Sequence, residues 1–235
     1  MDHAAHIVLA RLNSRRLPGK GLMDLGGKPL LHLTLERLRR CKTVTRIILA
    51  TSNSDVDDPL EDFAKNEGIE VFRGDPDDVA GRCLACAKAN RLDWFIRICG
   101  DSPFIDPAVV DQVANLYVDD GVEIATNVLK RSYPVGCSAE AVDTAALSRL
   151  CATTRDMRYL EHVTAFFYEN PDIFMISSLE APDDRYENVS IAVDTEQDYV
   201  RTKWVYDHLS DPVTAPLDEV VRVTQEWGGK ELKKE

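Results

Sequence analysis

From Ala10 to Gly21 the chain reads Ala-Arg-Leu-Asn-Ser-Arg-Arg-Leu-Pro-Gly-Lys-Gly. Arg11, Arg15, Arg16 and Lys20 sit there with the Ser14 hydroxyl, Gly19 and Gly21. Those residue types suit a polyphosphate. A guanidinium fork matches phosphate oxygens, a lysine adds a point charge, and glycines let backbone N–H groups approach. The run stands apart, because no acid occurs from His3 to Met23 although the chain carries 40 acids against 28 lysines and arginines, for a net charge of −12. It matches neither the Walker A pattern nor the dinucleotide G-x-G-x-x-G. A basic run is most often a solvated loop. This one follows the short apolar run His6–Ala10, where an open α/β sheet binds its ligands.

Two carboxylates occupy the same kind of position. Asp101 follows Gly100 after an apolar run at 93–99, and Asp194 follows the apolar run 189–193. Either alone reads as a helix cap or a turn residue. Two of them facing a triphosphate would hold Mg²⁺, a hard cation that takes one or two carboxylates and completes its shell with phosphate and water.

These residues must be positioned by the elements around them. Apolar runs at His6–Ala10, Arg46–Thr51, Ile69–Phe72, Asp93–Cys99 and Glu123–Asn127 predict strands. Helical periods predict helices at Pro29–Cys41, Asp55–Glu67, Asp77–Arg91 and from Pro107 to Asp120, with Gly68 at a helix stop and Pro107 at a helix start. Strand and helix thus alternate, which predicts an α/β fold with a mostly parallel central sheet flanked by helices. Beyond Asn127 the order loosens. Lys130–Val142 reads as an irregular extension or hairpin, with helices at 143–152, 157–169, 196–209 and 217–227, and strands at Ile173–Leu179 and Val189–Val193. No linker interrupts the chain, which predicts one domain over 1–235 with an inserted lobe near 128–190 and a charged end from Lys230.

The acidic balance argues against broad nucleic-acid binding, which wants a basic face. No run approaches the roughly 18 apolar residues of a membrane span. Met1–His6 lacks the basic and apolar regions of a signal peptide, so a cytoplasmic protein is expected. The 6 cysteines are then expected to be reduced. Cys83 and Cys86 form a lone C-x-x-C with no second ligand pair, and read as small buried hydrophobes rather than a zinc site. Trp94, Trp204 and Trp227 read as packing residues rather than platforms for a base.

The run Ala10-Arg11-x-x-Ser14-x-Arg16-Leu17-Pro18-Gly19-Lys20 resembles the signature of the sugar-acid cytidylyltransferases. These are the enzymes that activate 3-deoxy-manno-octulosonate and acylneuraminates. The likeness is strongest to the spore-coat polysaccharide protein F (SpsF-like) group. It continues, in order, through Leu25-Gly26-Gly27-Lys28-Pro29, Val71-Phe72-Arg73-Gly74, Asp77-Asp78-Val79 with Arg82, and Arg97-Ile98-x-Gly100-Asp101-x-Pro103. Tyr133-Pro134-x-Gly136, Glu161-His162-Val163-Thr164 and Val193-Asp194-Thr195 complete it.

The resemblance implies the nucleotide-diphospho-sugar transferase (Rossmann-like) fold, CTP as donor, a sugar acid as acceptor, Mg²⁺ and a homodimer. Carried onto matching positions, Ala10, Arg11, Ser14, Arg16, Gly19 and Lys20 would bind the nucleotide, with Arg73 and Arg82 reaching it. Asp101 and Asp194 would bind the metal. Lys20, Arg16, Asp101 and Asp194 would form the catalytic set. Asn127, Tyr133, Glu140 and His162 would contact the sugar, although a lone helical histidine is as often structural. Val135 and Ser138 replace the two aspartates usual in the group, and Ser190 and Ile191 replace bulkier or basic residues.

The implied reaction is in-line attack of a sugar hydroxyl on the α-phosphorus of CTP with loss of pyrophosphate. Positioning and charge neutralisation carry such chemistry. Three other readings use some of the same features: a sugar-1-phosphate nucleotidyltransferase with another nucleotide, a non-catalytic nucleotide-sugar-binding domain, and a glycosyltransferase. The last would carry an Asp-x-Asp metal motif. The two present, Asp55-Val56-Asp57 and Asp75-Pro76-Asp77, are not expected to follow buried strands directly.

Overall fold

The continuous apolar runs become strands because both faces of each are covered by helices, the usual condition for parallel strands. The computed structural model describes residues 3–231, with side chains to residue 228. β1 (Ala4–Leu9) is followed by a small antiparallel pair, β2 (Asp24–Leu25) and β3 (Lys28–Pro29). Then come α1 (Leu30–Leu38), β4 (Ile47–Ser52), α2 (Asp58–Glu67), β5 (Glu70–Gly74), α3 (Val79–Ala89), β6 (Trp94–Cys99), α4 (Pro107–Asp120) and β7 (Ile124–Thr126). The chain continues through β8 (Glu140–Asp143), α5 (Thr144–Thr153), α6 (Met157–Glu161), α7 (Ala165–Glu169), β9 (Ile176–Ser178), α8 (Glu196–His208) and α9 (Leu217–Glu231). The residues after Glu231, the last of the charged end, lie outside the described residues, as do Met1 and Asp2.

Seven strands form one sheet in the order β5-β4-β1-β6-β8-β7-β9. β5, β4, β1 and β6 run parallel, β8 runs antiparallel to both its neighbours, and β9 is parallel to β7. The expected mostly parallel α/β sheet is present. Alternation along β1 and β6 builds two cores. Val8, Ile96 and Ile98 pack with α1, α2, α4 and α9 on one face; Ile7 and Phe95 pack with α3, α5, α6 and α7 on the other. Gly68 caps α2 in the left-handed conformation, and Pro107 opens α4 as its sequence predicts.

The chain departs from the sequence reading in its second half. The segment near 128–190 is not set apart from the sheet, because β8 threads between β6 and β7 and β9 extends the edge. The helix expected at 157–169 is broken into α6 and α7 around His162–Thr164. Thr164 turns its hydroxyl to the buried Glu140 carboxylate at 2.6 Å. The strand expected at 189–193 has no ladder. It touches Val135 through a single bridge at Ser190. Its alternation reflects burial of Val189, Ile191 and Val193 in the core rather than sheet pairing.

Candidate active site

The basic run leaves β1 and folds back on itself. Gly19 takes the left-handed conformation (φ 74°), and its N–H bonds the Leu12 carbonyl at 2.8 Å, closing the loop. A buried carboxylate anchors the other side. Asp57 accepts from the Leu12 N–H at 2.7 Å and from the backbone and hydroxyl of Ser52 at the end of β4. Asp57 is thus a loop anchor rather than half of an Asp-x-Asp metal motif. Asp75, in the second such motif, follows β5, an edge strand with no buried residue, so neither motif directly follows a buried strand, as expected. It is a turn residue, accepting from the N–H groups of Asp77 and Asp78.

Asp101 and Asp194 meet, although 93 residues separate them. Asp101 lies just beyond β6. The segment bearing Asp194 is held beside it by a bond from the Val193 N–H to the Asp101 carbonyl at 3.0 Å. Val135 pairs with Val189 and Ile191 one step earlier, at 3.0 and 2.7 Å. Gly136, with φ 97°, lets that segment pass: a Cβ there would meet the Ala192 nitrogen at 2.5 Å. Val135, Ser190 and Ile191 therefore place Asp194, and neither Val135 nor Ser138 faces the cleft.

Neither carboxylate is a helix cap. Asp106 caps α4, and Thr195 caps α8 in a reciprocal box with Asp198. Instead both converge on Lys20, whose Nζ donates to Asp101 Oδ2 at 2.7 Å, to Asp194 Oδ1 at 3.0 Å and to the Val193 carbonyl at 2.8 Å. Arg16 adds a second contact to Asp194 at 3.0 Å. Burial works to lower the Lys20 pKa, but Asp101 and Asp194 outweigh it and hold the ammonium above its ordinary value. Two oxygen donors that already share one cation are a donor set fit for Mg²⁺.

These groups line one cleft of about 680 Å³ between the loop, the end of β6, α3 and α6. Ala10, Arg11, Ser14, Arg16, Lys20, Arg82, Asp101, His162 and Asp194 all face it. Arg11 and Arg82 both donate to the Pro76 carbonyl. Burial lowers the Arg82 pKa and the Arg11 charge adds to the effect, while Cys83, Asp57 and Asp75 oppose it.

Other expected residues lie elsewhere. Gly19 shapes the loop without lining the cleft. Arg73 is drawn to Asp58 at 2.6 Å and Glu61 at 3.0 Å, with the Ser52 and Ser54 carbonyls filling its other nitrogens. It ties β5 to α2 and does not line the cleft. Asn127 is buried and braces its own loop, donating to the Cys137 carbonyl at 2.7 Å and accepting from the Ala139 N–H at 2.9 Å. Tyr133 stacks on Tyr186 at 5.8 Å beside a separate depression lined by Asp106 and Leu217. Glu140 is 1% exposed, is paired with Arg97 and does not itself line the cleft. Trp94 stacks on Tyr117 and Trp204 on His208, away from the cleft. Cys83 and Cys86 are free and buried on α3, where burial pushes both thiols up to about 12.

Among the residues that face or hold the site yet escape the sequence reading as site residues are Arg97 and Asp57. A signal for Arg97 exists: it is the one charge inside the apolar run Trp94-Phe-Ile-Arg-Ile-Cys99. Asp57 has none that separates it from Asp55 and Asp58.

Comparison with known proteins agrees with this geometry. The spore coat polysaccharide biosynthesis protein SpsF of Bacillus subtilis is 31% identical over 229 residues, covering 94% of this chain and 93% of that protein. The 3-deoxy-manno-octulosonate cytidylyltransferase of Bdellovibrio bacteriovorus is 32% identical over 116 residues, 48% of this chain and 45% of that protein. A cytidylyltransferase structure from Leptospira borgpetersenii superposes with a TM-score of 0.91 at 27% identity, covering 97% of this chain and 95% of that one. The fold is shared more distantly with CMP:2-keto-3-deoxy-manno-octonic acid synthetase complexed with CTP, at a TM-score of 0.65 and 20% identity, over 85% of this chain and 96% of that one. A loop of cations closing on a lysine between two aspartates is thus met in a chain whose residues 5–227 match the cytidylyltransferase family model, and the protein belongs to the cytidylyltransferase family.

Proposed function

We propose that the protein transfers CMP from CTP to a hydroxyl of a sugar acid of the nonulosonate or octulosonate type, releasing pyrophosphate. The observation that carries this reading is the convergence of Asp101, Asp194 and Lys20 at the floor of a cleft walled by the basic loop. Names of its relatives support the donor and the acceptor class.

In this reading the loop N–H groups, Arg11, Arg16 and Arg82 receive the triphosphate. Lys20 moves its charge from the carboxylates toward the phosphates as the nucleotide enters. Asp101 and Asp194 hold Mg²⁺, which when bound would polarise the α-phosphate and lower the pKa of the attacking hydroxyl. Arg16 and Lys20 neutralise the charge gathering on the departing pyrophosphate. The cleft's other wall, with His162 and Glu161, receives the sugar. No covalent intermediate is needed, since placing the hydroxyl in line with the leaving oxygen supplies the entropic part of the barrier.

The segment near 128–190 then serves as the sugar-binding and dimerisation part of a single domain. The enzyme acts as a cytoplasmic homodimer in the synthesis of a surface polysaccharide or glycan. Among the described residues no helix is long and apolar enough to cross a membrane. The test is pyrophosphate release with each of the four nucleoside triphosphates against a panel of nonulosonic and octulosonic acids. CTP with at least one sugar acid should give turnover. Turnover confined to dTTP, GTP or UTP with a sugar 1-phosphate would overturn the proposal.

A further inference from the structure

Two arginines of this fold show the difference between a guanidinium that is finished and one left open. Arg37, 1% exposed, spends every nitrogen on a carbonyl: Nε on Ile105 at 2.6 Å, Nη1 on Pro212 at 2.8 Å and Nη2 on Ala215 at 2.8 Å. It ties α1 to the turn before α9 and does not line the cleft. Arg97 sits at the centre of the sheet, opposite Ile7 on one side and Glu140 on the other. Its Nη1 pairs with Glu140. Its Nε is buried with no hydrogen-bond partner. Its side chain lines the cleft. Leaving buried donors unpaired is costly, and a fold retains such a group where a ligand completes it.

Glu140 is fixed from behind. Its Oε1 accepts from the hydroxyl of Thr164, which caps α7, and from the hydroxyl of Tyr168 on α7 itself. A carboxylate so saturated cannot swing, so it presents Arg97 in one orientation. This support comes from β8 and from α7 with its cap, not from the basic loop. The loop and α3 already bring Arg11, Arg16, Lys20 and Arg82 to a triphosphate. The same cleft is lined by Glu161, which would repel a phosphate but can bond sugar hydroxyls.

We infer that Arg97 binds the carboxylate of the acceptor sugar acid through its open N–H groups, with Glu140 as the positioning residue behind it. The inference rests on the proposed function and names the residue that makes an acidic sugar the substrate. A guanidinium already half-neutralised by Glu140 matches a single carboxylate in fork geometry better than it matches a triphosphate.

The test separates acceptor from nucleotide. Arg97→Gln alone would strand the Glu140 charge in the core and could unfold the protein. Arg97→Lys and the double variant Arg97→Gln/Glu140→Gln are therefore used, with N-acetylneuraminate and 3-deoxy-manno-octulosonate as acceptors. Each variant should raise the KM for the sugar acid about 10- to 100-fold, the scale of a lost charge-assisted pair. The Kd for CTP, measured by calorimetry, should stay within about threefold, and kcat should fall far less than KM rises. The methyl ester of the sugar acid should be a poor substrate for the wild type and no worse for the variants. An unchanged acceptor KM, or a CTP affinity that weakens as much as the acceptor's, would overturn the inference while leaving the proposed function standing. A wild type inactive on both sugar acids, yet active on a sugar 1-phosphate, would overturn both.

Discussion

Replacing Lys20 with methionine probes the site most sharply, because the structure gives its ammonium three partners and no second cation on Asp101 among the described residues. Two carboxylate oxygens bonded to one nitrogen at 2.7 and 3.0 Å lie within about 6 Å of each other. At an effective dielectric of about 20, their repulsion without the ammonium is ~3 kcal/mol, or about 100-fold in the affinity of a cation that replaces it. Lys20→Met should therefore bind Mn²⁺ in the absence of nucleotide at least tenfold more tightly than the wild type, as read by electron paramagnetic resonance titration. Its kcat/KM for CTP should fall at least 100-fold, the usual scale for one preorganised charge donor. Asp101 and Asp194 are 25% and 33% exposed as side chains, so solvent can serve them and the fold should persist. If Mn²⁺ affinity is unchanged and turnover stays within a few-fold, Lys20 is a structural ion pair and the reasoning fails.

Asp101→Asn and Asp194→Asn should each remove most Mg²⁺-dependent turnover, and the double variant should be scarcely worse than either, since residues acting as one unit are not additive; near-normal turnover in one single variant would remove that residue from the metal site. Asp57→Ala should lower Tm and weaken CTP binding together by freeing the Leu12 N–H and the Ser52 hydroxyl, at a cost of roughly 1–3 kcal/mol, whereas Arg73→Ala should change Tm alone. Burial lowers His6 from 6.5 to about 4, against a weaker opposing effect of its bond to the Val44 carbonyl. The unfolded chain then binds the extra proton between those two values, so stability should be full above pH 6.5 and fall by about 3 kcal/mol as pH drops to 4. His6→Gln should flatten that slope in denaturant titrations, and an equal slope in both proteins would assign the pH dependence elsewhere.

The sheet and the basic wall of the cleft were legible because both are local. An apolar run of five or six residues ending at a glycine or a charge can be read without knowing its neighbours, and Ala10–Gly21 declares its chemistry within one loop. What was not legible depends on partners distant in sequence. Val189–Val193 alternates like a strand, yet its partner for all but one bridge is the core rather than a neighbouring strand. Arg73 and Arg82 are alike in sequence; only the carboxylates of α2 beside the first decide that it is structural. Glu140 shows the same limit from the other side. An acid between two alanines announces that something unusual is buried there, but not that Arg97 stands between it and the cleft.

In the proposed reaction the α-phosphoryl group moves to the sugar and pyrophosphate leaves. The direct measurement follows the label from CTP carrying ³²P at the α or at the γ position, with Mg²⁺ and a sugar acid. The α label should appear on the sugar as a CMP conjugate, and the γ label in pyrophosphate, with both transfers lost in Asp101→Asn. Label from the γ position on the sugar, or hydrolysis of CTP with no label on the acceptor, would contradict the account.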